Sequence, residues 1–277
     1  MCRWLAYSGS PIRLEELLVK RDRSLIDQSL HSRQGATPTN GDGFGVGWYE
    51  PGEGPRVYRS THPAWNDRNL RELAAGISSP LFFAHIRAST GTAIQETNTH
   101  PFRYANRLWM HNGLIRDFHL VKRELQSAVD DVYFGSIEGT TDSETMFYLA
   151  LTFGLEDDPV AGVERMVGFV EETGRAHGIE HPIQMTVATT DGETIWAFRY
   201  SSEHDSRSLY FSTRMDALKA LYPESAELQG LSDETRVVVS EPLGDLPGAW
   251  QEAPESHVGI VQAGDDELRP FSPRSSG

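Results

Sequence analysis

The sequence predicts an α+β fold in which two mainly antiparallel sheets pack together and helices lie outside them. Three observations carry this expectation. Short strand-like runs with glycine punctuation dominate the first 111 residues, helix-periodic segments concentrate in the middle of the chain, and strand-like runs return over the last third.

Taken in order, residues 3–8 read as a strand leading away from Cys2, and 14–18 as a helical turn. Residues 24–40 are polar and turn-rich, which predicts a long surface loop. The run from Gly43 to Tyr49 enters a strand that pairs with residues 56–58 across the turn Pro51-Gly52-Glu53-Gly54-Pro55. Residues 66–76 read as helix, 81–87 as a buried strand, and 107–111 as a strand that stops at Asn112-Gly113.

Helices follow at 117–128, 142–154 and 159–177. The second opens with Thr141-Asp142-Ser143-Glu144, a capping-box pattern, and sets Met146, Leu149, Ala150 and Phe153 on one face. Strands are expected at 185–189 and 194–200 around an Asp191-Gly192 turn, then at 209–212, 236–239 and 257–262. With no internal repeat or dividing linker, residues 2–263 read as a single domain, and 264–277, rich in Asp, Pro and Ser, as a flexible tail.

Composition narrows the function. Across 277 residues the hydrophobic content is 38%, enough for a substantial core, and the lone cysteine, Cys2, excludes an intramolecular disulfide framework. Lys plus Arg number 25 against 40 Asp plus Glu, and a net charge of -15 opposes binding to nucleic acid or an anionic membrane. No run approaches a membrane span or a signal peptide, so the expected location is the cytoplasm and the expected partners are small molecules or proteins. The ten histidines, among them His31, His85, His100, His111 and His119, show no metal-ligand spacing, and neither a metal nor a cofactor is expected.

The chemistry centres on Cys2. Removal of Met1 would place a thiol and a free α-amine on one residue; their ordinary pKa values lie near ~8.5 and ~7.7–8.0, so a proton can pass between them near neutrality. Four polar clusters stand at element ends. Asn40-Gly41-Asp42-Gly43 permits close backbone approach to a ligand. Arg87, at the end of a mostly apolar strand, suits either a structural ion pair or the grip of a substrate carboxylate. Asn112-Gly113 supplies two donors suited to an oxyanion hole and is equally a common tight-turn pair. Asp142, at a helix start, suits either the helix dipole or a substrate ammonium group.

Cys2, Asn40-Gly41-Asp42-Gly43, Arg87-x-x-Thr90, His111-Asn112-Gly113 and Thr141-Asp142-Ser143-Glu144 occur in an order that resembles the class II glutamine amidotransferases, a family of N-terminal nucleophile hydrolases. The resemblance implies a four-layer αββα sandwich and an amidohydrolase in which Cys2 attacks a γ-glutamyl carbonyl and forms a thioester. It further implies that Asn112 and Gly113 form the oxyanion hole, that Arg87 and Asp142 hold the α-carboxylate and α-amine, that Thr90 assists binding and that Asn40 shapes the nucleophile's surroundings. Ser240-Glu241-Pro242-Leu243 and Trp250 look like the small stand-alone members. Thr39-Asn40-Gly41 departs from the Arg-Gly step common in synthase-linked members.

The motifs leave no segment for a synthase domain, so the sequence implies either a separate acceptor subunit or simple hydrolysis of glutamine or a related γ-glutamyl compound. The alternative is a non-catalytic module that binds a γ-glutamyl ligand and acts through a partner protein.

Overall fold

A computed structural model describes residues 2–20, 23–30, 39–89, 91–213, 219–220 and 222–275. Two antiparallel sheets form its centre. The first runs, edge to edge, through β11 (Trp250–Glu252), β9 (Tyr210–Ser212), β10 (Arg236–Val239), β1 (Arg3–Arg13), β4 (Ser78–Ile86), β2 (Phe44–Trp48) and β3 (Arg56–Ser60). The second runs through β13 (Glu267–Pro270), β12 (His257–Val261), β8 (Ile195–Ser201), β7 (Ile183–Thr190), β6 (Arg107–Ile115) and β5 (Phe102–Tyr104).

Alternation along the strands builds three apolar layers. Trp4, Ala6, Leu81 and Phe83 point from the first sheet toward Leu108, Met110, Ala188 and Ala197 of the second. On the outer face of the first sheet, Leu5, Tyr7, Phe82 and Ala84 pack with residues of α1 (Glu15–Leu18), α2 (Leu25–Leu30) and α3 (Arg68–Gly76). On the outer face of the second, Trp109, Met185, Val187 and Phe198 pack with α4 (Phe118–Ser127), α6 (Asp142–Thr152) and α7 (Pro159–Ala176). The order helix, sheet, sheet, helix is the four-layer sandwich that the sequence implied.

Several local expectations change. The stretch 24–40 contains α2, whose Leu25 and Ile26 enter the core, while residues 31–38, including His31, lie outside the described residues. Two hydrophobes in a polar stretch were enough to anchor a short helix. The strand expected to stop at Asn112-Gly113 runs on to Ile115, because Asn112, Gly113, Leu114 and Ile115 continue to pair with Thr186, Met185, Gln184 and Ile183 of β7. Pairing with a neighbouring strand overrides the turn preference of that dipeptide.

The short α5 (Asp131–Phe134), β5, β11 and α8 (Ala226–Gln229) were not anticipated; each is three or four residues long, too short to show a period. Helix α6 is capped by the Thr141 side chain, which accepts from Glu144 N, but the reciprocal half of a capping box is absent. Instead, Glu144 accepts from the backbone of Glu138 at 3.0 Å and Gly139 at 2.7 Å. The expected flexible tail also contains structure: β13 pairs with β12, and Phe271 is buried against Phe198 and Tyr200.

Candidate active site

Strand register brings the first group of site residues to one sheet end. Arg3 of β1 and Phe44 of β2 both lie opposite Ile86 of β4. Cys2, which precedes β1, Arg87, which follows β4, and Asn40-Gly41-Asp42-Gly43, which precedes β2, therefore emerge together. Backbone bonds lock the last two: Arg87 N donates to Gly43 O at 2.8 Å and Asp42 N to Arg87 O at 3.2 Å. The Asp42 carboxylate accepts from Ser89 N at 2.7 Å.

Cys2 Sγ sits against Ala88, 3.4 Å from its N and 3.6 Å from its O. Burial pushes the thiol up; the contact with Ala88 and the positive charges of Arg87 and Arg3 work against that rise. The second sheet reaches the same point from the other layer. Asn112 Nδ2 donates to Cys2 O at 3.1 Å. Next to it, Gly113 passes so close to β7 that an added Cβ would meet Gln184 O at 1.9 Å, so the close strand approach requires glycine.

Asp142, at the start of α6, is joined to the same strand. Its Oδ2 accepts from Ile115 N and its Oδ1 from Ser143 N, both at 2.8 Å. Two fixed backbone donors orient this carboxylate and leave acceptor capacity on both oxygens. Arg87 is 4% exposed and is held by neutral groups: Nη2 donates to Thr92 Oγ1 at 2.6 Å, Ala93 O at 3.2 Å and Ser89 Oγ at 3.3 Å. Among the described residues it makes no direct carboxylate ion pair, although the nearby Asp42 carboxylate acts on it through space.

Asn40 is fully buried, and neither side-chain amide atom has a hydrogen-bond partner among the described residues. Thr90 lies outside the described residues. The structure thus brings Cys2, Arg87 and Asn112 together, with Gly113 and Asp142 on the adjoining strand and helix.

Three features escaped sequence reasoning. Asn98, fully buried, donates to Ala93 O at 2.9 Å, the carbonyl that also holds Arg87, and accepts from Thr140 N at 2.7 Å. It thereby ties the Arg87 loop to the segment leading into Asp142. Second, His85, His100 and His111 cluster behind the site: His85 and His100 rings lie 4.2 Å apart, and His85 Nε2 is 3.3 Å from His111 O. His111 Nδ1 meets Ser143 Oγ at 2.7 Å.

Third, Arg3 forms a buried ion pair with Glu241 at 2.7 Å while its Nη1 donates to Cys2 O at 3.1 Å. Glu241 thereby holds the guanidinium that binds the Cys2 carbonyl. Removing one partner of a buried pair typically costs about 3–5 kcal/mol. Glu241→Ala should lower the unfolding free energy by roughly that amount in a denaturant melt, and a loss under about 1 kcal/mol would show that the pair does not anchor β1 to the segment after β10.

A family model of class-II glutamine amidotransferases matches residues 18–274. The chain is 34% identical over 288 residues to the probable glutamine amidotransferase DUG3 of Saccharomyces cerevisiae, covering 93% of this chain and 81% of that protein. It is 26% identical over 260 residues to the gamma-glutamyl-hercynylcysteine sulfoxide hydrolase of Mycolicibacterium smegmatis, covering 93% and 94% of the two. The solved glutamine aminotransferase class-II domain protein from Silicibacter pomeroyi matches with a TM-score of 0.73 and 31% identity, over 98% of this chain and 100% of that one. The glutamine phosphoribosylpyrophosphate amidotransferase of B. subtilis shares the fold at a TM-score of 0.66 with 14% identity, over 99% of this chain and 50% of that one.

Proposed function

The chain belongs to the class II glutamine amidotransferases, and from that premise we propose that it hydrolyses the γ-glutamyl bond of glutamine or a related small γ-glutamyl compound, with Cys2 as an N-terminal nucleophile. The observation that carries this reading is the meeting of Cys2, Arg87 and Asn112 from two sheets at one point.

In this mechanism Met1, which lies outside the described residues, is removed, and the α-amine of Cys2 takes the thiol proton. The thiolate attacks the γ-carbonyl carbon. Asn112 Nδ2 and the Gly113 N–H receive the negative charge that develops on the carbonyl oxygen. The amine then passes the proton to the leaving nitrogen, the C–N bond breaks, and a γ-glutamyl thioester remains. Water attacks the thioester, releases glutamate and restores the thiol. Arg87, with no direct carboxylate ion pair among the described residues, pairs with the substrate α-carboxylate, and the oriented Asp142 carboxylate accepts from the α-ammonium. Thr90 assists binding, and Asn40, behind Gly41, helps to shape the wall near the nucleophile.

Mass spectrometry of the purified protein should find residue 2 at the amino terminus; an active protein retaining Met1 would exclude the amine as base. A release assay on glutamine and on γ-glutamyl peptides, scoring ammonia against free amine, tests the reaction itself. Stabilisation by glutamine without any release would instead support the non-catalytic ligand-binding module.

Asn112→Ala is expected to reduce kcat by about 10²- to 10³-fold, the usual cost of losing one oxyanion donor. Because among the described residues the side chain bonds only the Cys2 carbonyl, the melting temperature should change little. A variant with near-normal turnover would remove Asn112 from the oxyanion role.

A further inference from the structure

Outside the Cys2 site, a cavity of about 640 Å³ opens where the edge strands β3 and β5 of the two sheets come together. Its walls include Arg59, Arg103, Glu96, Glu138, Tyr104 and Tyr148, and none of Cys2, Arg87, Asn112 or Asp142. That volume lies within the ~300–1,000 Å³ usual for small-molecule sites.

The charges in it are incompletely used. Arg59 is half-buried, its Nε donates to Pro101 O at 3.1 Å, and it forms no ion pair among the described residues. Arg103 donates to Pro55 O at 3.0 Å and likewise has no ion-pair partner among them. Burial lowers the pKa of Arg59; the Glu138 and Glu144 carboxylates oppose that effect, and the Arg103 charge adds to it. A third wall carboxylate, Glu144, already accepts two backbone N–H groups.

The walls thus carry two guanidiniums, the exposed carboxylates of Glu96 and Glu138, and Glu144, whose oxygens are already engaged by backbone donors, a mixed set suited to a ligand that carries both signs of charge. Tyr104 and Tyr148, edge-to-face at 6.3 Å, add an aromatic wall.

We propose that this cavity binds a small zwitterion with one carboxylate and one amine, an amino acid or a dipeptide. Arg59 and Arg103 take the carboxylate, Glu96 and Glu138 the amine, and the tyrosines the body between them. In one respect the proposal rests on the γ-glutamyl reading: the amine freed from a γ-glutamyl peptide is a zwitterion of this class. A covalent path links the two places, since residues 96 and 97 line the cavity while Thr92 and Ala93 of the same loop hold Arg87.

The test is an NMR titration of the Cys2→Ala protein, which cannot turn over, with glycylglycine, N-acetyl-glycylglycine and glycylglycinamide. Glycylglycine should saturate and shift the resonances around Arg103 and Glu96, and each blocked form should bind about 10- to 100-fold more weakly, the scale of one lost charged hydrogen bond. Arg103 is exposed, so Arg103→Gln should fold normally and weaken glycylglycine to a similar degree while leaving glutamine cleavage unchanged. Equal binding of blocked and free dipeptides, no saturable binding, or an Arg103→Gln protein with unaltered affinity would overturn the proposal. Because binding is read without catalysis, failure to cleave any γ-glutamyl compound would sink the enzymatic reading alone.

Discussion

Cys2→Ala should abolish γ-glutamyl cleavage while leaving the fold intact. Removing the nucleophile of a hydrolase that works by acyl transfer costs on the order of 10⁶-fold in kcat, about 8 kcal/mol of transition-state stabilisation. The structural role of the side chain is minor by comparison, since among the described residues the thiol's hydrogen bonds are weak sulfur contacts with the Ala88 backbone. Cys2→Ser is the sharper control. Its hydroxyl preserves shape and can still meet Ala88, but it is far less ionised than a thiol at neutral pH. Both variants should therefore share the parent melting temperature and lose nearly all release of ammonia or amine. Turnover by Cys2→Ala within tenfold of the parent would overturn the assignment of the nucleophile.

Acidification from pH 7 to 5 should destabilise the folded protein by several kcal/mol, because of the histidine cluster. His85, His100 and His111 are at most 4% exposed, and burial pushes all three pKa values down, His85 to about 3. The His85 Nδ1 and both His100 ring nitrogens have no hydrogen-bond partner among the described residues, while the His111 ring meets Ser143 Oγ and the Gln184 backbone carbonyl. In the unfolded chain each imidazole titrates near ~6.5. Below that pH the unfolded state takes up protons that the folded state refuses. Stability is therefore full above about 6.5 and is lost as the pH falls toward the depressed folded values, by up to ~1.4 kcal/mol per histidine per pH unit.

Burial raises the carboxyls of Glu144 and Glu164, which act in the opposite sense. Their linkage runs upward from the ordinary carboxylate values, so it works against the histidines within this interval, and the net fall in stability is smaller than the three rings alone would give. Chemical melts across that interval should show a falling unfolding free energy at constant m-value. A flat profile would mean that the three rings are not held neutral in the folded state.

Much of the site was legible before any fold was known. Cys2, Arg87 and Asp142 each sit at the end of an element whose period or capping could be read locally, and Asn112-Gly113 could be placed on a readable strand. Their chemistry follows from residue type. What sequence reasoning mistook was context: Asn112-Gly113 has the composition of a turn, yet β7 supplies partners that carry the strand through it. It overlooked Asn98, and it named Glu241 without its partner, because what each does lies in contacts with distant residues, Thr140 in one case and Arg3 in the other.

The sequence alone determined the layered α+β class, since strand alternation, helix period and turn residues are local properties of the chain. It also named the groups proposed to carry the chemistry. Only the tertiary structure decided that these groups meet, because convergence depends on register between strands far apart in sequence, with Arg3 and Phe44 both opposite Ile86. It alone, too, decided which charges would be satisfied internally and which left open. Ion pairing and burial are set by packing between layers, and no local pattern encodes the distance between two sheets.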